Sequence, residues 1–192
     1  MATTAQKAWK GKEWFTIVAP KLFSDKIVGE TPSFDPNSLV GRTVETSLFE
    51  LVDGAPKYYM KVKLKVVKVE GNKAITRFDG LECVRDYVLR MSQRRTRQVR
   101  IVTDVKTKDG WILRVKLINV MNRIVQSSIK RKVRKFVEEL ISKESKDKDL
   151  EAFLSDIVND NLQEKIKLLG SKIYPIRMSE VRLIEVYSAP PA

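Results

Sequence analysis

The sequence contains no histidine and only one cysteine, Cys83. Without histidine, the chain lacks the commonest general base at neutral pH, the usual metal ligand and every Ser-His or Cys-His nucleophile pair. A single cysteine can build neither an intrachain disulfide nor a thiolate zinc site, which is typical of a protein in a reducing compartment. The sequence also has no P-loop and no GxGxxG motif. We therefore predict a protein that is not an enzyme, with no catalytic residue, no metal and no cofactor.

Long hydrophobic runs are also missing. The longest uncharged apolar run is far shorter than the roughly 20 residues that a membrane helix needs. The N-terminal MATTAQKAWKGKEWF has no continuous apolar core followed by a small-residue cleavage site, so we expect no secretory signal and no membrane partner. With 192 residues, of which 43% are hydrophobic, the chain can nevertheless bury a sizeable core in one or two domains.

Positive charge is abundant and concentrated in one part of the chain. The net charge is +13, and the segment from Arg85 to Lys135 holds sixteen basic residues against three acidic ones. The remainder is balanced, with 21 of each sign. Within that segment, RMSQRRTRQVR (Arg90–Arg100) has five arginines in eleven residues and no acid. A basic segment of this kind is typical of a protein that binds a polyanion such as a nucleic acid.

Hydrophobic periodicity predicts a sheet followed by helices. Alternating or short apolar runs favour strands at WFTIVAP from Trp14, Arg42–Val52, Tyr58–Glu70, Lys73–Phe78, a stretch from Gln98, Trp111–Val120 and Glu180–Tyr187. We expect Lys26–Glu30 and Thr31–Ser38 to be turns, Asp79-Gly80 to end a strand, and Leu81–Met91 to form a short helix.

Three apolar stripes at helical spacing predict three helices near the C-terminus. The first stripe runs from Ile129 through Val133, Phe136, Val137 and Leu140 to Ile141; the second contains Leu150, Phe153, Leu154, Ile157 and Val158; the third contains Leu162, Ile166 and Leu169 and stops at Gly170. We expect the first helix to span Ser127–Ile141 and SKESKDKD to connect it to the second.

These elements predict an α+β fold. We expect a mostly antiparallel β-sheet or partly closed barrel packed with about three C-terminal helices, with the last strand returning to the sheet. Residues 1–13 would form a flexible basic N-terminal arm, 14–187 a single domain with its helical segment at about 122–170, and 188–192 a tail.

Three basic features each allow more than one interpretation. The arm could be disordered or could become ordered on RNA through its lysines and Trp9. Lys61, Lys63 and Lys65 could form a solvated sheet face or contact phosphates. The five bases of Lys130–Lys135 could be a solvated helix face, a surface for an acidic membrane or a calmodulin-like groove, or a phosphate-facing surface. The last explains best why cations crowd the N-terminal half, where the helix dipole disfavours them.

Several blocks together resemble one family. WFTIVAPKLF, VGRTVETSLFEL, RDYVLRMSQRRTRQVRIVTDVKTKDGWILRV and KIYPIRMSEVRLIEV are similar to the ribosomal S3Ae family, small-subunit ribosomal proteins of archaea and eukaryotes. The resemblance covers roughly Trp9 to Val186, and DVKTKDGWILRV and IYPIR are its most specific parts. We expect the archaeal form, because eukaryotic members extend further beyond the last predicted strand.

The resemblance implies a cytoplasmic, structural constituent of the small ribosomal subunit that is not an enzyme. Members of the family lie on the platform near the mRNA exit, where they contact the small-subunit rRNA, including the region near its 3′ end, and neighbouring platform proteins such as the S-eleven neighbour. Arg85 and Asp86 match an Arg-Asp pair of the family, and Arg94 and Arg95 fall in its basic stretch. QRRTR is richer in arginine than the family pattern, which leaves the role of each arginine open.

Charge, position and resemblance together give a set of candidate RNA-binding residues. They are Lys7, Trp9, Lys10, Lys12, Arg85, Arg90, Arg94, Arg95, Arg97, Arg100, Lys130, Arg131, Arg134 and Lys135. Two other functions remain open from the residues alone. One is an RNA-binding or RNA-chaperone module acting outside the ribosome, and the other is a nuclease that uses carboxylates and Mg²⁺, although the acidic residues form no recognisable motif.

Overall fold

The computed structural model describes residues 11–52, 57–91, 94 and 96–189. Its strands are β1 (Glu13–Val18), β2 (Ile27–Ser33), β3 (Thr43–Ser47), β4 (Met60–Glu70), β5 (Lys73–Cys83), β6 (Arg97–Lys106), β7 (Ile112–Met121) and β8 (Ile176–Ser188). Its α-helices are α1 (Leu48–Leu51), α2 (Arg85–Met91), α3 (Ser127–Asp147), α4 (Leu150–Val158) and α5 (Asn161–Gly170), and short 3₁₀ turns occur at Lys21–Phe23 and Pro36–Leu39.

The eight strands form one mixed sheet in the order β2-β1-β5-β8-β7-β6, and β4 carries β3 on a separate branch. The long strand β5 pairs with β4 along one edge. Its other edge is shared by β1, which is parallel to it near Lys73–Ile75, and β8, which is antiparallel near Gly80–Glu82. The sheet is open rather than closed into a barrel. Three helices separate β7 from β8, so the predicted α+β fold with a returning last strand is confirmed.

The alternating pattern of β4 was predicted correctly. Met60, Val62, Leu64 and Val66 are buried, whereas the lysines between them are exposed or half-buried. Such alternation is expected of a strand with one face on the core. The Gly71-Asn72 turn then leads into β5, and Gly71 has the positive φ of 56° that favours glycine.

Asp79-Gly80 does not end a strand, contrary to the prediction. β5 continues through both residues to Cys83, and the register shift opposite Lys63 and Leu64 leaves Asp79 as the extra residue of a β-bulge. A Cβ atom on Gly80 would lie 2.6 Å from the backbone oxygen of Ile184. The glycine therefore permits β8 to approach closely. Because the strand is longer, α2 begins at Arg85 rather than at Leu81.

Replacing Gly80 with alanine should weaken the pairing of β5 with β8. The added methyl group would collide with the backbone of Ile184, and overpacking of this kind costs about 1–3 kcal/mol. Gly29→Ala is a matched control, because Gly29 also lies in a strand and its Cβ would meet nothing within 4 Å. We expect the denaturant midpoint to fall for Gly80→Ala and to stay close to wild type for Gly29→Ala. Equal midpoints would contradict the close-approach explanation.

The segment Ile27–Ser33 is a strand, although its glycine and its proline suggested turns. β2 lies at the end of the sheet path and, among the described residues, pairs with β1 alone. Pro32 stands opposite Trp14 in that ladder. An edge strand tolerates proline because one side of its backbone needs no partner.

The main core lies between the sheet and helices α3–α5. Val133, Val137 and Ile141 of α3 are fully buried in the same cluster as Val99 and Ile101 of β6, against which α3 packs. The other predicted stripe residues of this helix, Ile129, Phe136 and Leu140, are only partly buried at its margin. The prediction therefore identified the side of α3 that faces the core, but fewer residues on that side are fully buried than expected.

The charged stretch SKESKDKD does not form the predicted connector, because α3 continues through it to Asp147. Its charges find partners on the following helices. The Lys148 ammonium lies 2.6 Å from Asp156 of α4 and also pairs with Glu144, while Lys165 of α5 lies 3.0 Å from Glu144. These cations lower the pKa values of Glu144 and Asp156 through hydrogen bonds. The ion pairs link the end of α3 to α4 and α5.

A second, smaller cluster lies on the opposite face of the sheet. Leu117 belongs to the main core, whereas its neighbour Ile118 packs with Cys83 and with Val88 and Met91 of α2. Successive residues of a strand point to opposite faces, so α2 covers the face away from α3–α5. Burial raises the pKa of the Cys83 thiol to about 12, which keeps it protonated and unreactive.

Lys57 is a fully buried lysine that joins three elements. Its ammonium donates a hydrogen bond to the backbone oxygen of Ile157 at 2.6 Å, and it lies 2.6 Å from Asp160 and 3.6 Å from Glu180. The Lys57 side chain is 1% exposed and that of Glu180 is 5% exposed. Burial raises the pKa of Glu180, and the nearby lysine partly opposes this shift.

None of the described helices is long and apolar enough to cross a membrane.

Candidate nucleic-acid interface

Two basic segments that are distant in sequence meet in one groove. The groove lies between the start of β6 and the N-terminal half of α3 and has a volume of about 490 Å³. We call it the basic groove, and its lining residues are Thr96, Arg97, Gln98, Val99, Arg100, Lys130 and Arg134. Four of these seven residues are basic and none is acidic.

The packing of β6 and α3 explains why these bases line the groove. Val99 and Ile101 of β6 point into the core, so Arg100 between them points outward and is exposed. Lys130 and Arg134 are four residues apart, and residues at this spacing project from the same side of a helix. β6 is the last strand of the sheet path, and the backbone groups at the free edge of such a strand can bind an external partner.

The cations of the basic groove have no acidic partner among the residues that the structure describes. Neighbouring bases on β7 differ in this respect. Arg114 makes two hydrogen bonds to Asp104, at 2.7 and 2.8 Å, and Lys116 lies 3.0 Å from Glu185. The Asp104 carboxylate raises the pKa of Arg114 and has its own pKa lowered in return. The groove therefore brings together several cations without a carboxylate partner among the described residues, unlike the paired bases of β7.

The start of α3 is also unfavourable for cations. Its first turn contains no acidic residue, and Arg131 and Lys135 further along are exposed. Lys135 has one distant ion-pair partner, Glu139, at 3.9 Å. The positive end of the helix dipole repels cations. An external anion would relieve this repulsion.

The chain matches the model of the ribosomal S3Ae family over residues 2–190. It belongs to this family.

Similar archaeal proteins named small ribosomal subunit protein eS1 support the assignment. The one from Sulfurisphaera tokodaii is 37% identical over 188 residues, which are 98% of this chain and 97% of that protein. The one from Methanopyrus kandleri is 39% identical over 186 residues, or 95% and 88% of the two chains. The one from Saccharolobus islandicus is 36% identical over 187 residues, or 97% and 90%.

The family assignment confirms two predictions from the sequence. The resemblance to the S3Ae family is correct, and the chain is not an enzyme, since this is a family of ribosomal proteins. Among the described residues, no group of three or more acidic or cysteine side chains could hold a metal ion.

The other candidate RNA-binding residues of this S3Ae chain are not part of the basic groove. Arg85, Arg90 and Arg94 are exposed, the first two at opposite ends of α2. The Lys12 ammonium lies 5.4 Å from the centre of the Phe34 ring, a distance typical of a cation–π contact. The remaining candidates, Lys7, Trp9, Lys10 and Arg95, lie outside the described residues, as does most of the predicted arm. The contribution of each candidate to RNA binding stays a prediction.

Of the lysines Lys61, Lys63 and Lys65 on β4, the central one has its charge neutralised by nearby carboxylates. Lys63 lies 2.7 Å from Glu82 on β5 and 3.4 Å from Glu45 on β3. These carboxylates raise its pKa, the hydrogen bond to Glu82 being the main cause. This arrangement favours the solvated sheet face over a second surface for phosphates.

A second cleft in this S3Ae chain contains residues that the sequence did not single out. It has a volume of about 290 Å³, and we call it the tyrosine cleft, lined by Tyr58, Tyr87, Arg90, Met91, Arg177 and Met178. Of these, only Arg90 was a candidate from the sequence. The others come from the turn before β4, from α2 and from β8. The adjacent Tyr58 and Tyr59 stand out in the sequence, but hydrophobic periodicity gave no reason to place them next to β8.

Proposed function

We propose that this chain is a structural constituent of the small ribosomal subunit that binds small-subunit rRNA through the basic groove. The observation that supports it best is the convergence of Arg97, Arg100, Lys130 and Arg134, without an acidic residue, in one groove of a ribosomal-family protein. The relatives named as small ribosomal subunit proteins support the same role. The finer proposal is a cytoplasmic site on the platform, near the mRNA exit and the rRNA 3′ end, beside other platform proteins.

The chemistry of the groove suits an RNA backbone. The planar guanidinium of arginine can donate two parallel hydrogen bonds to one phosphate or bridge neighbouring phosphates. Structured RNA exposes phosphates and 2′-hydroxyls, which proteins recognise mostly by shape and charge. The arginines of β6 and the bases of α3 stand on two packed elements, so the spacing of their backbones is fixed before RNA binds. A backbone that is already ordered loses less entropy on binding than a flexible loop does.

Binding of small-subunit rRNA should weaken steeply with salt. If the four cations each neutralise one phosphate, log K should fall against log salt with a slope of roughly −3 to −4. Replacing Arg100 and Arg134 together with glutamine should reduce the slope by roughly 2. Arg114→Gln combined with Lys116→Gln removes the same charge from the compensated bases of β7 and is the matched control. Filter binding over a salt series measures all three, and identical slopes for both double variants would contradict a specific groove.

Sedimentation separates ribosomal residence from a transient role. A structural constituent should co-sediment with the small subunit in cell lysate and survive a high-salt wash better than a transient binder does. A free-standing RNA-binding module or chaperone would instead appear at the top of the gradient. Absence from the subunit peak already at low salt would therefore contradict the proposed function and favour the module.

A further inference from the structure

The tyrosine cleft has an aromatic wall with a fixed geometry. Tyr59 stacks on Tyr87, with ring centres 3.6 Å apart and planes inclined by 7°, and Tyr58 meets Tyr59 edge-on with centres 5.6 Å apart. The Tyr59 hydroxyl donates to Glu180 at 3.4 Å, which fixes the middle ring. Tyr58 at the outer end of this row is 72% exposed and adds little to the core. The row therefore offers aromatic surface that the fold itself does not use.

Positive charge borders the aromatic wall. Arg90 of α2 and Arg177 of β8 line the cleft from separate elements, and none of the described residues that line it is acidic. Arg90 has no carboxylate within salt-bridge distance among the described residues. Met91 and Met178 supply the polarisable side chains that pack well against aromatic rings. An apolar helix from a partner protein would desolvate the guanidinium group of Arg90 without supplying a counter-charge, which is unfavourable.

An unpaired nucleotide combines the two chemistries that the cleft offers. Every nucleobase has a flat face that stacks on aromatic side chains, and its phosphates match guanidinium groups. The volume of about 290 Å³ is at the lower end of that of small-molecule sites, so the cleft suits one nucleotide rather than a duplex. Arg90 is seven residues from Arg97 of the basic groove, a reach of at most roughly 25 Å. The two sites therefore lie at most about 25 Å apart at these arginines, with α2 on one face of the sheet and α3 on the other.

We propose that the tyrosine cleft binds a single unpaired RNA nucleotide, with its base against Tyr58 and its phosphates at Arg90 and Arg177. The proposal rests on the proposed rRNA-binding function and adds to it a second site, which recognises single-stranded RNA. The basic groove holds the backbone of structured RNA by charge. The cleft adds stacking, which a duplex cannot provide because its bases are already stacked on each other.

The test compares two labelled RNA probes by fluorescence anisotropy. One is a uridine oligomer of about eight nucleotides, the length that a single-strand-binding site typically covers. The other has the same backbone without bases. We expect wild type to bind the intact oligomer more tightly, and Tyr58→Ala to lose roughly 5- to 160-fold of that affinity, the range for one base–aromatic stack. Binding of the abasic oligomer should be unchanged, and Tyr58→Trp should retain the affinity of wild type.

Tyr187→Ala is the matched control, because Tyr187 is a 54% exposed tyrosine near the far end of β8. It should bind both oligomers like wild type. Thermal unfolding of Tyr58→Ala should match wild type, since the ring is exposed. A Tyr58→Ala variant that binds the intact oligomer as tightly as wild type overturns the cleft proposal, and a peptide from a neighbouring protein then becomes the better occupant.

The same assay separates failure of the cleft from failure of the proposed function. If wild type binds both oligomers equally and Arg100→Gln with Arg134→Gln weakens both, the groove binds RNA and only the cleft proposal is overturned. If wild type binds neither oligomer and does not bind small-subunit rRNA, both proposals are overturned.

Discussion

Replacing Lys57 with methionine should destabilise the protein by roughly 3–5 kcal/mol, which is the usual effect of removing one partner of a buried ion pair. The lysine side chain is 1% exposed and lies 3.6 Å from Glu180, whose side chain is 5% exposed. Without the ammonium, Glu180 would keep a buried charge with no cation beside it. Chemical denaturation near neutral pH measures the loss. Lys63→Met is the control, because that lysine pairs with carboxylates at the surface, where such pairs contribute at most about 1 kcal/mol.

The effect of Lys57→Met should depend on pH in a defined direction. Burial already holds the pKa of Glu180 above its ordinary value of 4.5, and removing the lysine should raise it further. A carboxyl whose pKa is raised by folding contributes stability below its unfolded pKa and loses it as the pH rises through the folded pKa. The deficit of the variant should therefore be smallest below about pH 4 and should grow towards neutral pH. A deficit independent of pH would show that Glu180 is not the group left uncompensated.

Reversing charge at Arg100 and Arg134 together should abolish incorporation into the small subunit. Two charged hydrogen bonds to phosphate are worth about 1.5–3 kcal/mol each, so their loss alone lowers affinity by roughly 100-fold or more, and two new carboxylates repel the backbone further. Both arginines are exposed, and surface substitutions usually change stability by less than about 0.5 kcal/mol. We expect a normal melting curve for Arg100→Glu, Arg134→Glu together with loss from the subunit peak in a sucrose gradient.

The control for this experiment changes net charge by the same amount elsewhere. Lys146→Glu with Lys172→Glu alters two exposed lysines outside the basic groove and the tyrosine cleft, at the end of α3 and after α5. This variant should incorporate like wild type. If both double variants incorporate equally well, the groove is not an rRNA contact. If both fail equally, net charge rather than position governs assembly.

Local sequence patterns predicted a strand or helix correctly where its packing partners do not change which of its residues are buried. The alternation of β4 predicted its buried face, since one side of that strand packs on the core. The apolar stripe of α3 predicted that Val133 and Val137 would be buried. Along a helix that packs on a sheet, apolar residues at helical spacing form the buried face. Three helices before a returning strand were predicted for the same reason.

The wrong predictions all arise from partners that are distant in sequence. Gly80 signals a break unless one knows that β8, a hundred residues later, approaches its backbone. Pro32 signals a turn unless the strand is known to be at an edge. The charges around Glu144 signal a loop unless Lys165, 21 residues later, is known to pair with it. None of these partners can be found from propensity or periodicity.

Charge counting identified the basic segments but could not separate paired from unpaired bases. Arg114 and Arg100 both fall in the segment with excess charge. Within the part of the chain that the structure describes, Arg114 alone of the two has a carboxylate partner, Asp104 on the neighbouring strand. Cross-strand register determines that difference, and register follows from the fold. The tyrosine cleft was not predicted because its residues come from three elements and share no pattern. The arm with Lys7 and Trp9 lies outside the described residues, and its role stays a prediction.

The position of β8 also sets the order in which the chain can fold during its synthesis. This strand, Ile176–Ser188, lies between β5 and β7 and pairs with both, so it joins the two halves of the sheet. Translation adds about 5–20 residues per second, and β5 is therefore made several seconds before the strand that completes its edge. Until then the nascent chain exposes two unpaired strand edges, which are sites of aggregation. The two halves of the sheet can therefore be joined only after Ile176–Ser188 has been made, and a ribosome stalled before Ile176 would leave a product for chaperones or proteases.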